Sequence, residues 1–123
     1  MPISDLCDRH RLKPNKLYLS RRRLRGIIEA NLADPDFNAE ALAAASGMSY
    51  QQLYRLLARE ISAAPSHLLR TVRVERAEQL LGEGAGSVTE VAYSVGFNSL
   101  SYFHRCYRER FGTTSSAAAR TPA

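Results

Sequence analysis

Apolar residues recur every three or four positions through most of the chain, which is the spacing of one face of an α-helix. No stretch shows the alternation of apolar and polar residues that marks a half-buried strand. Two segments repeat one order: a short apolar helix pattern, a glycine turn, a polar cap and a longer helix pattern. Their turn glycines, Gly47 and Gly96, lie 49 positions apart, and each follows a small alanine (Ala43, Ala92) that permits close helix packing. The pattern predicts an all-α fold with two helix-turn-helix units.

Capping signals predict where the helices of the first unit begin. Ser20 is a candidate N-cap for a first helix, and Asn38 is one for the short helix before the first turn glycine. Ser49 and Gln52 have the spacing of a capping box, in which each side chain binds the other residue's backbone amide. This pair predicts a longer helix from about residue 50 to residue 60.

A proline, a glycine-rich stretch and a second capping box predict the remaining helices. Pro65 suits the first position of a helix, which we expect to end at the glycine-rich residues 82–86. Ser87 and Glu90 repeat the capping-box spacing and predict a short helix. The last long helix is predicted over about residues 99–111, followed by a short helix or a frayed end.

These elements predict one bipartite domain, and 123 residues are enough for a real hydrophobic core. The N-terminal end contains two prolines and no sustained period, so we expect a flexible basic arm there. The predicted boundaries are an arm over residues 1–19 and a bipartite domain over 20–123, with a first unit at about 20–64, a connecting helix at about 65–82 and a second unit at about 87–120.

The net charge of +5 is unevenly distributed. Residues 1–26 carry eight basic and two acidic side chains, whereas the other residues carry nine basic and ten acidic ones. The N-terminal charge run is interpreted either as a solvated tail or as a source of extra phosphate contacts. If the remaining domain binds a polyanion, its positive charge must lie on one face.

Several classes of protein are disfavoured. The chain has no apolar run long enough for a bilayer and no secretory signal, so we expect a cytoplasmic protein without membrane contact. It has no phosphate loop and no nucleophile paired with a base, so we expect neither an enzyme nor a cofactor. The cysteines and histidines are too scattered for a disulfide framework or a metal site; these residues are Cys7, Cys106, His10, His67 and His104. Cys106 is predicted to be a small core or half-buried thiol.

The second helix of each unit carries polar and basic residues on its predicted outer face. Arginine can pair bidentately with guanine and glutamine with adenine, while serine and tyrosine suit phosphates or bases. The alternative interpretation is an ordinary solvated helix face. The outer-face candidates are Tyr50, Gln51, Gln52, Tyr54, Arg55 and Arg59 on the first such helix, and Ser99, Ser101, Tyr102, His104, Arg105 and Arg108 on the second.

The predicted connecting helix is long enough to space these two faces along DNA. A helix of this length spans roughly 25 Å. Together with the width of the two units, it could hold the two faces about one DNA turn apart, near 34 Å. We therefore expect double-stranded DNA as the partner, read at two successive major grooves. The two outer faces differ in sequence, so the expected site is asymmetric.

The segment from Val91 to Arg108, followed by Gly112, resembles the DNA-binding domain of AraC-type transcription regulators, and residues 73–81 look like that family's connecting helix. The likeness covers roughly residues 21–120. It implies seven helices and gene regulation, most often activation through contacts with RNA polymerase. It implies base reading by Gln51, Tyr54, Arg55, Ser101, Tyr102, His104 and Arg105, and phosphate contacts by Ser49, Asn98 and Arg108, to which we add Tyr50, Arg59 and Ser99.

The chain departs from the family pattern at three places that affect helix ends. Ser62 stands where the family usually has glycine. Ser115 stands where the family usually has proline, and the usual tyrosine-arginine ending is reduced to Ala-Ala-Ala-Arg120, which together predict weaker packing at the C-terminal end. Family members usually carry a sensing domain, so we expect this chain to be the output domain of a larger sensor or response regulator, with a small stand-alone regulator as the alternative. No dimerising heptad is visible, which predicts a monomer. The alternative function is a helical protein-interaction module that keeps the fold without specific DNA binding.

Overall fold

The structure, a computed structural model, describes residues 12–118 and the side chains of residues 21–117. Within that range every regular element is a helix, and no helix is long and apolar enough to cross a membrane. The predicted all-α fold is confirmed. The described helices are α1 (Leu12–Ala30), α2 (Ala39–Ala45), α3 (Tyr50–Ile61), α4 (Pro65–Gly82), α5 (Val88–Ser94), α6 (Leu100–Phe111) and α7 (Ser115–Ala118).

The predicted capping boxes form and determine two helix starts. At α3 the Gln52 backbone amide donates to the Ser49 hydroxyl at 3.1 Å, and the Ser49 amide donates to the Gln52 side chain at 2.9 Å. Ser87 and Glu90 make the same pair of bonds at the start of α5. Each box satisfies two amides that have no partner inside the helix. These helix starts were predictable because every group involved lies within four consecutive residues.

Helix α1 begins at Leu12, well before the predicted cap at Ser20. The prediction of an irregular arm is therefore wrong over residues 12–19, while the rest of the predicted arm, residues 1–11, lies outside the described range. Pro14 does not prevent the early start, because the first turn of a helix leaves its backbone amides without intrahelical partners and proline has no amide hydrogen to lose.

Helix α4 is shared between two apolar cores. Val72 and Val74 are both buried and lie two positions apart, so they point to nearly opposite sides of the helix. Val72 packs into a first core with residues of α1, α2 and α3, and Val74 packs into a second core with residues of α5 and α6. Leu32, after α1, packs against both cores. Helix α4 therefore contributes buried residues to the cores of both helix-turn-helix units.

The two turn glycines differ in their surroundings. Both have a positive φ, +79° at Gly47 and +98° at Gly96, which an L-residue rarely adopts. A Cβ on Gly47 would meet nothing within 4 Å, whereas one on Gly96 would lie 2.2 Å from the Leu32 carbonyl oxygen and 2.8 Å from Nε of Arg73. Gly96 is therefore needed for close approach between the units as well as for its backbone angle.

Candidate nucleic-acid interface

Helices α3 and α6 correspond residue by residue, and each is 12 residues long. Ser49 caps α3 and Ser99 caps α6, with the Ser99 hydroxyl accepting a hydrogen bond from a backbone amide in the first turn. Both helices end at a residue in the left-handed region, Ser62 at φ 54° and Gly112 at φ 74°. Equivalent side chains therefore project from equivalent backbone positions in the two units.

Burial divides each of these helices into an inner and an outer face. Leu53 and Leu57 of α3, like Phe103 and Tyr107 of α6, are at most 1% exposed. Residues two positions away from these lie on the opposite side because an α-helix has 3.6 residues per turn. Gln51 and Arg55 on α3, and Ser101 and Arg105 on α6, are exposed on that outer side. We call the outer sides of α3 and α6 the two reading faces.

The first reading face carries exposed aromatic side chains. Tyr50 and Tyr54 are 41% and 47% exposed, and their ring centroids lie 6.2 Å apart. Arg55 lies one residue beyond Tyr54, and Arg59 is exposed one turn further on. Tyrosine rings beside arginine can contact thymine methyl groups or sugars while the hydroxyl bonds a phosphate. This face can therefore make both apolar and polar contacts with a duplex.

Tyr102 holds part of the second reading face in place. It is half-buried, and its ring lies 5.9 Å from that of Phe97. The Arg105 guanidinium lies 5.3 Å above the Tyr102 ring, within the range of a cation–π contact. Burial raises the pKa of the Tyr102 hydroxyl, with a hydrogen bond to Cys106 adding to the rise. The half-buried Tyr102 ring therefore packs beneath Arg105 and contributes less exposed surface to the second reading face.

His104 is tied to the last described helix. Its Nδ1 lies 2.8 Å from the hydroxyl of Ser115, and its ring lies 5.8 Å from that of Phe103. Ser115, the first residue of α7, is only 1% exposed. Ser115 itself is therefore buried and hydrogen-bonded, whereas the rest of the predicted weak packing concerns residues 117–120, which lie partly outside the described range. The other ring nitrogen of His104, Nε2, has no hydrogen-bond partner among residues 21–117.

The structure places the predicted site residues in two groups, one on each reading face and its cap. Tyr102 is half-buried and the other candidates are exposed. Cys106, between the second reading face and α4, is 5% exposed, as predicted for a core thiol, and burial raises its pKa. The exposed candidates are Ser49, Tyr50, Gln51, Tyr54, Arg55, Arg59, Asn98, Ser99, Ser101, His104, Arg105 and Arg108.

Sequence reasoning missed a polar cluster that connects the two units. Glu75, in the middle of α4, accepts hydrogen bonds from Arg25 of α1 and from Arg110 of α6, the latter at 2.8 Å. Burial raises the pKa of the Glu75 carboxyl, but the hydrogen bonds and charges of the two arginines outweigh it, so the pKa lies below its ordinary value. We call these three residues the Glu75 cluster. Their separation along the chain leaves no local sequence pattern that would reveal them.

A second missed contact lies at Arg73, also on α4. Its guanidinium donates to the backbone carbonyls of Asp34 at 2.8 Å and Phe37 at 3.2 Å, both between α1 and α2. Burial lowers the pKa of Arg73, partly offset by the charge of Asp34. Its buried Nε has no hydrogen-bond partner among the described residues and lies against Gly96 of the second unit. We call this arrangement the Arg73 contact.

Comparison with known proteins gives a consistent result. Residues 42–121 match the family model described as a helix-turn-helix domain. The chain is 36% identical over 104 residues to the HTH-type transcriptional regulator GbdR of Pseudomonas aeruginosa, covering 85% of this chain and 28% of that protein. It is similar to the structure of a probable AraC family transcriptional regulator from Rhodopseudomonas palustris, with 34% identity, a TM-score of 0.68, and 80% and 93% of the two chains covered.

A further solved structure has the same fold. It is an AraC-type transcriptional regulator from Chromobacterium violaceum, with 27% identity, a TM-score of 0.73, and 82% and 89% of the two chains covered. The chain spans 7% to 31% of the length of the first curated relatives that it matches. The likeness therefore concerns one domain of those longer proteins.

Proposed function

The chain belongs to the AraC family of helix-turn-helix DNA-binding domains, and from that premise we propose that it binds one asymmetric double-stranded DNA site by inserting α3 and α6 into successive major grooves. The observation that carries this proposal is the equivalence of the two reading faces. Arg55 and Arg105 occupy the same position on two helices of equal length, and both are exposed. Because both units pack against the shared helix α4, their two reading faces can contact one duplex at two places.

The roles we assign follow from side-chain chemistry and position. Gln51 and Arg55 read bases on the first face, with Gln51 suited to adenine and Arg55 to guanine. Arg105 has the corresponding role on the second face, where Ser101 and the free nitrogen of His104 make further polar contacts. Tyr54 contacts bases through its ring, and Tyr102 positions Arg105. The cap residues and flanking groups bind phosphates, namely Ser49, Tyr50, Arg59, Asn98, Ser99 and Arg108.

We further propose that DNA binding by this domain serves transcription activation in the cytoplasm, without catalysis of its own. Two relatives are named as transcriptional activators, one from Rhizobium meliloti and one from a Rhodococcus species. A contact with RNA polymerase would convert binding into activation. These roles concern a whole protein, whereas the chain matches only a fraction of its relatives' length.

The test is a fluorescence anisotropy titration with duplexes selected from a random library by the purified domain. Arg55→Ala and Arg105→Ala are each expected to weaken binding by about 1–3 kcal/mol and to relax specificity at one position. The control is Arg76→Ala, because Arg76 is exposed on α4, hydrogen-bonded to Gln79, and on neither reading face. Arg76→Ala removes the same positive charge as each of the two test variants.

The affinity of the unchanged domain should also fall as salt rises, because phosphate contacts release counterions. Binding that is indifferent to sequence and salt would contradict the proposal. So would equal losses in all three arginine variants, because these would reflect net charge alone. Either result would favour a helical interaction module that keeps the fold without a DNA-reading role.

A further inference from the structure

The two units are joined by polar contacts on opposite sides of α4. Arg73 and Glu75 lie two positions apart, so their side chains leave the helix about 200° apart. On one side, Arg73 binds the segment between α1 and α2 and lies against Gly96. On the other side, Glu75 joins Arg25 to Arg110. Polar contacts on both sides of the shared helix α4 therefore hold the two units together. We call these contacts the brace.

The Glu75 cluster spans the boundary between the two apolar cores. Arg25 lies on α1, one residue after the buried Leu24 of the first core. Arg110 lies in the last turn of α6, three residues after the buried Tyr107 of the second core. The cluster consequently connects the scaffold of the first unit directly to the second reading helix.

The geometry of the cluster matters more than its contribution to stability. Exposed ion pairs contribute little to the free energy of unfolding, and the arginine side chains here are 43% and 46% exposed. The Glu75 side chain is only 26% exposed, and Arg110 approaches one of its oxygens with both Nη2 and Nε, at 2.8 and 3.3 Å. Apolar burial is non-directional, whereas hydrogen bonds of this kind depend on orientation. The cluster can therefore determine the angle of α6 relative to α1.

We propose that Glu75 is a positioning residue that determines which spacing between the two halves of a DNA site this domain accepts. The inference depends on the proposed two-groove binding. Adding one base pair between the halves rotates one relative to the other by roughly 35°. A domain with braced units can follow that rotation only if the duplex twists or bends, which costs free energy. A domain without the brace can adapt instead.

The experiment measures the affinity for a selected two-part site and for versions with one or two base pairs added or removed between its halves. The unchanged domain is expected to lose about tenfold in affinity for each one-base-pair change, as the cost of deforming DNA suggests. Glu75→Ala is expected to reduce that loss to about threefold or less. Glu75→Gln keeps the side-chain length but not the charge, and should give an intermediate spacing profile.

Two further variants separate orientation from charge and from unfolding. Glu78→Ala removes the same charge from an exposed position one turn along α4, so it should raise affinity at every spacing and leave the profile unchanged. Arg110→Gln breaks the Glu75–Arg110 ion pair but removes a positive charge, whereas Glu75→Ala removes a negative one. Arg110→Gln should flatten the spacing profile as Glu75→Ala does. Thermal unfolding identifies any variant that fails to fold.

The outcomes distinguish this inference from the proposed function. If the unchanged domain does not discriminate between DNA sequences, the proposed function fails. If it does discriminate but tolerates every spacing, the inference about Glu75 fails and the proposed function stands. The inference is also overturned if the folded Glu75 and Arg110 variants keep the sharp profile of the unchanged domain. A flattened profile in these variants, with Glu78→Ala unaffected, supports it.

Discussion

The two helix-turn-helix units share a backbone plan but differ in how tightly their side chains are held. On the first reading face, Gln51 and Arg55 have no hydrogen-bond or ion-pair partner among residues 21–117. On the second, Arg105 lies over Tyr102, and His104 is bonded to the buried Ser115. Ordering free side chains on binding costs entropy, which a face that is already ordered avoids. The side chains of Gln51 and Arg55 are therefore less constrained within the domain than those of Arg105 and His104.

The same contrast holds in the turns. Gly47 lies in an open turn, whereas Gly96 lies against Leu32 and Arg73 at the junction of the units. One extra residue, Asn98, separates the second turn from the cap of α6. The first turn therefore requires glycine only for its positive backbone angle. The second turn requires it also because neighbouring atoms leave no room for a Cβ. Substitutions at equivalent positions should have unequal effects.

The largest expected difference is between Gly96→Ala and Gly47→Ala. A methyl group at Gly96 would overlap the backbone oxygen of Leu32, so the substitution should lower the free energy of unfolding by about 3 kcal/mol or more. At Gly47 only the left-handed backbone angle is strained, which costs about 1 kcal/mol. Urea denaturation of both variants provides the comparison. Equal losses would show that Gly96 does not join the units as described.

The first residue of the helix that follows each reading helix provides the next comparison, because Pro65 and Ser115 are equivalent and both are buried. Ser115→Ala removes the hydrogen bond to His104 and should destabilise the protein by about 1 kcal/mol. The neighbouring Ser116 is exposed, so Ser116→Ala is the matched control and should change stability by less than about 0.5 kcal/mol. Thermal unfolding measures both variants. If Ser115→Ala has no more effect than its control, the bond to His104 is unimportant for packing.

The smallest effect is expected at the ends of the two reading helices. Ser62 has φ 54° at the end of α3, where Gly112 has φ 74° at the end of α6. Ser62→Gly should therefore stabilise the protein by about 0.5–1 kcal/mol, and Gly112→Ser should destabilise it by a similar amount. The two sites lie at the ends of different helices, so the double variant should unfold near the unchanged domain in a denaturant titration. Destabilisation by Ser62→Gly would mean that the serine makes a favourable contact at this helix end.

Much of the fold was predictable because it depends on short segments of sequence. The capping boxes at Ser49 and Ser87 formed as predicted, and α3 and α4 begin where their caps and Pro65 indicate. These signals involve groups within one turn of each other, so no tertiary contact is needed to recognise them. The start of α1 was missed because a proline was interpreted as a break, although the first turn of a helix accepts it.

The sequence predicted which residues lie on the outer faces of α3 and α6, but it did not predict the burial and contacts of each side chain. Helical periodicity identified the reading faces, and burial of Leu53, Leu57, Phe103 and Tyr107 fits the predicted inner sides. Periodicity could not show that Tyr102 is half-buried beneath Arg105. That contact depends on Phe97 and on the packing of α6 against α4, which a helical pattern alone does not specify.

By itself the sequence determined most of the helices, their caps and the doubled unit, because these follow from propensity, periodicity and hydrogen bonds between near neighbours. Only the tertiary structure decided how the units are joined. Glu75 meets Arg25 and Arg110 across separations of 50 and 35 residues, and Gly96 meets Leu32 across a core boundary. Such contacts arise when helices pack together, and the free energy of that packing depends on shape and burial rather than on any local pattern.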